Sequence, residues 1–191
     1  MALVAEALVE EWLNRKGYFT IRGAKIGQGE IDLLAVSFRG PDALHVEVSV
    51  SARAIGYISG PPIAKKSPED IKASVQHWCI KRFRGGKEQV ARRREELCPD
   101  RDWRFMLVHG DLKHPEELPL LEGQGVKVKH ICDVLDELRS LKDTRTSSEA
   151  SGVAELFEIC REEQRETLAK RLEALENART PSSTAWSRAA S

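Results

Sequence analysis

Two carboxylates interrupt apolar runs that otherwise have the character of β-strands. Asp32 lies in the run from Gly29 to Ala35, and Glu47 lies in the next run, from His45 to Ser49. An unpaired charge is costly to bury, so carboxylates at such positions need a compensating cation. Carboxylate oxygens suit Mg²⁺ or Mn²⁺, and a metal held this way can activate water and stabilise charge on a phosphate. The pair therefore indicates a divalent metal site.

Strand alternation determines whether the two acids can meet. Glu30 and Asp32 share one face of their strand, while His45, Glu47 and Ser49 share one face of the next. If the two strands pair as neighbours, Asp32 and Glu47 converge on one point. The alternative is that both acids pair with lysines on a solvated sheet face. The residues alone leave this alternative open.

The surrounding pattern predicts an α/β domain over residues 1–142. Apolar positions recur at helical spacing from residue 3 to 16, and Gly17 ends that helix. A short strand at 18–21 is followed by a glycine-rich hairpin connection at 23–29. Further strands are expected at about 30–38, 44–51, 103–109 and 126–131, and helices at 67–85, 87–97 and 133–141. A helix pair between the third and fourth strands requires a crossover, so the sheet should be mixed.

Three further segments differ from the domain in composition. Residues 53–66 are rich in Gly and Pro and are expected to form a loop. Residues 143–152 indicate a linker, 153–180 an appended, highly charged C-terminal helix, and 181–191 a disordered tail. The apolar stripe of the appended helix could dock on the domain, contact a protein partner or pair with a second copy in a homodimer.

Charge is balanced over the whole chain but not along it. The formal net charge is +0, yet residues 1–110 carry 18 Lys and Arg against 14 Asp and Glu. Basic side chains that could contact nucleic-acid phosphates concentrate in one stretch: Lys81, Arg82, Arg84, Lys87, Arg92, Arg93 and Arg94. The alternative is a helix whose arginines are simply solvated.

Cysteine usage and hydropathy limit the cellular setting. The four cysteines are widely spaced and form no CxxC pair, which disfavours a zinc site or a disulfide framework and indicates a cytoplasmic protein. The chain contains no run of 18 apolar residues, so no membrane span is predicted.

The motifs together resemble the PD-(D/E)XK nuclease superfamily. They are most similar to archaeal Holliday-junction resolvases and to related predicted bacterial endonucleases. In those proteins a helix acid precedes a Gly-aromatic step, followed by Gly-Glu-Ile-Asp-Leu and then a Val-Glu-Val-Lys strand. Here Glu6 precedes Gly17-Tyr18, the second motif is intact from Gly29 to Leu33, and the third is Val46-Glu47-Val48-Ser49.

The resemblance implies a restriction-endonuclease-like fold and Mg²⁺- or Mn²⁺-dependent cleavage of DNA. By position, Glu6, Asp32 and Glu47 would be the metal-site acids, and the carbonyl of Val48 could add a ligand. Ser49 stands where the family has a lysine that orients the attacking water and offsets negative charge. A serine hydroxyl has no charge and cannot replace that group.

Two compensations are open: a lysine could reach the site from elsewhere, or metal and phosphate alone could position the water at a slower rate. Lys72 is the first choice, with Gln76 one turn later on the same helix face. Lys65, Lys66 and Arg53 on the loop are further candidates. The alternative for Lys72 is an ordinary solvated lysine.

Three functions remain open on the sequence. The first is a metal-dependent deoxyribonuclease. The second is a catalytically impaired, nuclease-fold DNA-binding or adaptor subunit, which Ser49 favours. The third is a protein-interaction adaptor that acts through the C-terminal helix.

Overall fold

A five-stranded mixed sheet forms the centre of the molecule in a computed structural model that describes residues 2–27, 29–60, 67–84, 89–141 and 170. The strands lie in chain order: β1 (Tyr18–Ile26), β2 (Gly29–Ser37), β3 (Asp42–Ser49), β4 (Asp102–His109) and β5 (Val126–His130). β1, β2 and β3 are antiparallel neighbours, whereas β3, β4 and β5 run parallel.

Helices cover both faces of this sheet. The chain begins with α1 (Ala2–Arg15), crosses from β3 to β4 through α2 (Pro68–Cys79), a π-helical turn (Ile80–Arg84) and α3 (Gln89–Leu97), and then adds α4 (Glu117–Gly123) and α5 (Ile131–Ser140). This order and the mixed sheet confirm the predicted α/β class, a restriction-endonuclease-like central sheet flanked by helices. Within the described residues, no helix is both long and apolar enough to cross a bilayer.

The core divides along the two sheet faces. On one face Val75, Cys79 and Phe83 pack with Leu107 and Val126, so α2 and the π turn cover β4 and β5 there. The same crossover continues into α3, whose Val90 packs against Ala24, Ile31 and Leu34 of the β1–β2 hairpin. On the other face α1 contacts α5, and Trp12 Nε1 donates to Glu137 Oε2 at 2.8 Å.

The helix that opens the crossover begins as the sequence predicts. Ser67 caps α2 by accepting from the backbone of Asp70, and Asp70 accepts in return from the Ser67 backbone, with Pro68 at the first helical position. This capping box satisfies two backbone donors that a helix start otherwise leaves unpaired.

The structure differs from the sequence expectations in two places, and a third set of expectations is not tested by it. The first strand is longer than residues 18–21, because it pairs with β2 as far as Ile26↔Gly29 and so absorbs most of the expected hairpin connection. The helix α4 was not predicted, since its seven residues include a proline and show too short an apolar pattern. The linker, C-terminal helix and tail predicted at 143–152, 153–180 and 181–191 lie outside the described residues, Lys170 excepted.

A buried carboxylate on α4 holds the loop that follows β3. Glu117 is fully buried, and its oxygens accept from Ile58 N at 2.6 Å, from Ser59 N at 3.3 Å and from Ser59 Oγ at 2.5 Å. Ile55 adds a single bridge to Leu112. The part of the expected loop that the structure describes is therefore tied to the domain at two places.

Replacing Glu117 with alanine is expected to lower the free energy of unfolding by about 3 kcal/mol, because the substitution leaves the buried Ile58 N–H without its charged acceptor. Urea denaturation followed by circular dichroism measures this change. Glu116→Ala, at the exposed neighbouring position, serves as the control and should leave the midpoint nearly unchanged. Equal midpoints for both variants would contradict the role given to Glu117.

Candidate active site

The two acids lie where β2 and β3 stop pairing. The β2–β3 ladder runs from Val36↔Ala43 to Leu33↔Val46, and Asp32 and Glu47 are the next residue on each strand. Asp32 Oδ2 accepts a 2.8 Å hydrogen bond from the Val48 backbone N–H. A side-chain carboxylate thus takes the place of a β2 carbonyl, and it satisfies the β3 backbone where the ladder ends.

Both oxygens of Glu47 have partners. Its side chain is 4% exposed; its Oε1 lies 3.1 Å from His45 Nε2, and its Oε2 lies 3.1 Å from Arg82 Nη1. Arg82 comes from the π turn, and its own side chain remains 44% exposed. The buried acid is therefore compensated by one neutral group from its own strand and one cation that reaches in from solvent.

The hydrogen-bond pattern fixes the tautomer of His45. Arg94 Nη1 lies 3.0 Å from His45 Nδ1, and a guanidinium can only donate. Nδ1 must therefore be the acceptor, so the ring proton is on Nε2 and is donated to Glu47. Burial, followed by the charges of Arg94 and Arg82, lowers the pKa of His45 to about 3, which keeps the ring neutral.

Arg94 supports this arrangement from inside the domain. It is 7% exposed, donates to the Phe83 carbonyl at 2.5 Å, and lies over the rings of Trp103 and Phe105 at 5.5 and 5.2 Å. Aromatic faces attract such a cation. Arg94 was predicted to contact nucleic acid; the structure corrects this, because the side chain is buried and is used to orient His45.

The acids repel one another. Burial, followed by the charge of the neighbouring Glu47, raises the pKa of Asp32 to about 6, although the Val48 hydrogen bond and Arg82 act in the opposite direction. The pKa of Glu47 is raised to about 7, chiefly by burial and to a smaller extent by Glu6, while Arg82 lowers it. The charged forms of both acids are therefore disfavoured, chiefly by desolvation and further by the neighbouring carboxylates.

Glu6 brings a third acid towards this point from α1. Its side chain is buried, and its pKa is raised by burial and then by the charges of Asp32 and Glu30. Among the described residues, no group of three or more His, Cys, Asp or Glu side chains is arranged to hold a metal ion as placed. A Mg²⁺ ion is commonly held by one or two carboxylates with waters, and Asp32 and Glu47 fit that smaller donor set.

A cleft of about 300 Å³ opens beside Glu47. Its lining includes two cationic side chains, Lys81 and Arg82, together with Gly29 and Glu30 from the start of β2. The buried carboxylate is thus at the edge of a solvent-filled groove with basic groups on its wall. An anionic ligand in that groove would contact the cations and lie next to the acids.

The other predicted residues fall in several places. Lys72 and Gln76 are exposed on α2, and within the described residues neither is seen to contact the acids; the cation at the acids is Arg82. Ser49 is half-buried at the end of β3, and Arg53 is exposed.

The residues of the predicted basic stretch also lie in different environments. Arg92 and Arg93 pair with Glu96, at 2.9 and 3.3 Å. Lys81 and Arg84 are exposed. Lys65, Lys66 and Lys87 lie outside the described residues.

Two contacts of Glu47, with Arg82 and with His45, were not predicted from the sequence. Arg82 was predicted to face phosphate, not to pair with Glu47, and His45 was placed on the same strand face as Glu47 without a role. The alternation that places His45 and Glu47 on one face was visible, so their contact could have been inferred. The reach of Arg82 depends on the π turn, for which the sequence carries no signal.

Comparisons with known proteins add little. No protein-family model and no curated protein matches the chain. The chain is similar to a crystallised protein of unknown function, with 13% identity, a TM-score of 0.47 and coverage of 78% of this chain and 73% of that one.

Two other solved structures also match. A repair endonuclease from Pyrococcus abyssi shows 18% identity and a TM-score of 0.34, covering 62% of this chain and 40% of that one. SfsA from Pyrococcus furiosus in complex with Ca²⁺ shows 17% identity and a TM-score of 0.31, covering 64% and 52%. The chain thus spans less than two thirds of the length of these two proteins.

The raised pKa of Asp32 predicts that removing its charge stabilises the protein. A raised carboxyl pKa means that the contribution of Asp32 to stability is complete below about pH 4 and is lost as pH rises through about 6. Asp32→Asn keeps an oxygen that can accept from Val48 but removes the charge. At pH 8 and without divalent metal, the variant should be more stable than the wild type by about 1–2 kcal/mol after solvent screening.

Thermal denaturation at pH 4 and pH 8 in the presence of a chelator measures this difference, which should nearly vanish at pH 4. Asp102→Asn, on the exposed first residue of β4, removes the same charge away from the site and is the control. A destabilised Asp32→Asn protein at pH 8 would show that the acids are already compensated.

Proposed function

We propose that the protein is a divalent-metal-dependent nuclease that hydrolyses phosphodiester bonds of DNA. The observation that carries the proposal is the pair Asp32 and Glu47, placed beyond the last β2–β3 ladder pair with raised pKa values, with a cleft beside Glu47 whose wall includes Lys81 and Arg82. Buried carboxylates whose charge is poorly solvated suit a metal cation, and the two cations on the wall of the cleft suit a phosphate.

In this proposal Asp32 and Glu47 hold Mg²⁺ or Mn²⁺, with the Val48 carbonyl and Glu6 as further oxygen donors. When bound, such an ion supplies an activated water and positive charge for the phosphate in transit. Glu6 could act directly or through a water, because Mg²⁺ keeps several waters in most protein sites.

The residues around the metal acids have separate tasks. His45 holds Glu47 through its Nε2–H and is itself held by Arg94, so the carboxylate keeps one orientation. Lys81 and Arg82 bind the substrate backbone in the cleft. Exposed Arg84 extends the same positive surface. These contacts are to phosphate and therefore position the nucleic acid without selecting a base sequence.

A second function has its own support. Both oxygens of Glu47 are engaged, by His45 and Arg82, and Ser49 provides no cation. A protein that retained this arrangement with DNA bound would be a nuclease-fold DNA-binding or adaptor subunit that does not cut.

An assay with plasmid, linear and branched DNA in Mg²⁺ or Mn²⁺ separates the two functions. The wild type should cleave, while Asp32→Ala and Glu47→Ala should lose at least about 100-fold in rate, because the metal loses a ligand. Both variants should still bind DNA, since the basic residues are unchanged. Asp102→Ala controls for loss of an acid elsewhere.

Cleavage that survives both substitutions would refute the metal site. Binding without cleavage in either metal would favour the DNA-binding subunit. Absence of both binding and cleavage would leave the protein-interaction adaptor as the better explanation.

A further inference from the structure

We propose that Arg82 is a displaceable counter-cation: it pairs with Glu47 while no metal is bound, and it transfers to the substrate phosphate when a metal ion takes the carboxylate. Arg82 would then supply the positive charge that Ser49 cannot supply. The inference rests on the proposed nuclease function and specifies how its site is regulated.

The first support is the asymmetry of the ion pair. Arg82 Nη1 lies 3.1 Å from Glu47 Oε2, yet the Arg82 side chain is 44% exposed whereas that of Glu47 is 4% exposed. The carboxylate is fixed by burial and by His45, while the guanidinium is held from the solvent side. A cation that reaches a buried acid in this way can leave without any change in the protein core.

The backbone that carries Arg82 is anchored independently of the ion pair. The next residue, Phe83, is 1% exposed, and its carbonyl accepts from buried Arg94. Phe83 also packs edge-on against the His45 ring, with centroids 4.9 Å apart. Moving the Arg82 side chain therefore requires only rotamer changes.

The cleft offers the second position for the guanidinium. Arg82 lines it together with Lys81, Glu30 and Glu47, so the same side chain borders both the buried acid and the groove. A guanidinium forms paired hydrogen bonds with carboxylate or phosphate equally well. Since the group stays protonated, it can offset charge on phosphate but cannot accept a proton from water.

Competition between cations follows from the charges. Arg82 lowers the pKa of both Glu47 and Asp32, which shows that its field reaches both acids. A divalent ion placed on the same carboxylates would be repelled by a guanidinium that stayed in place. Metal binding and departure of Arg82 from Glu47 should therefore favour each other.

The test compares Arg82→Gln and Arg82→Lys with the wild type in the full-length protein. Without DNA, calorimetric titration should show that Arg82→Gln binds Mn²⁺ about three- to fivefold more tightly, the size expected for removing a half-exposed charge. With DNA and saturating Mn²⁺, the same variant should cleave about 100-fold more slowly, because the phosphate loses the positively charged group that contacts it. Arg82→Lys should recover part of that rate.

Arg139→Gln is the matched control, since it removes the same charge on α5 and should change neither measurement. Unchanged or weaker Mn²⁺ binding by Arg82→Gln would overturn the competition, and wild-type cleavage rates in Arg82→Gln would overturn the transfer to phosphate. If the wild type binds Mn²⁺ but cleaves no DNA, the proposed nuclease fails, together with the transfer to phosphate. The Mn²⁺ affinities alone then decide whether Arg82 is a counter-cation. If the wild type binds no Mn²⁺, both proposals are overturned.

Discussion

The desolvation of two neighbouring carboxylates is the constraint on which the rest of the site depends. Asp32 and Glu47 occupy adjacent strands where the chain has little water to solvate them, and their pKa values rise as a result. Each neighbouring contact reduces that cost: the Val48 N–H for Asp32, and His45 and Arg82 for Glu47. A divalent cation would reduce the desolvation free energy that remains after these contacts. The raised pKa values of the two acids and their proposed metal binding therefore have the same cause.

The fold supplies these contacts from elements far apart in the chain. β3 has an antiparallel neighbour on one side and a parallel one on the other, and the parallel pairing with β4 requires the crossover through α2, the π turn and α3. That crossover passes over the sheet face on which Glu47 lies. It delivers Arg82 to the carboxylate and Arg94 to His45, so the connection demanded by topology also carries the polar support of the site.

The parts of this arrangement that depend on local spacing could be predicted from the sequence. Alternation gave the strand faces on which Asp32 and Glu47 lie, and the helix start expected at residue 67 matched α2, because both signals lie within a few residues. Which charged side chains the fold buries was harder to infer. Arg94 and exposed Arg92 belong to one basic run in the sequence, and only the burial of one helix face separates them. Glu117 was missed for a similar reason, since a charged residue in a short segment gives no sign that three donors surround it.

With a serine at position 49, the site must obtain positive charge and a group that exchanges a proton from other residues. Arg82 and His45, which both contact Glu47, are two candidates. A lysine at that position would combine two properties, a positive charge and a proton that can be exchanged. Arg82 reaches the acids and carries the first property but not the second, since its guanidinium remains protonated. His45 is neutral, but both of its ring nitrogens are already committed to Glu47 and Arg94. In the proposed hydrolysis the proton of the attacking water would therefore go to neither Arg82 nor His45, whereas Arg82 would compensate the phosphate charge.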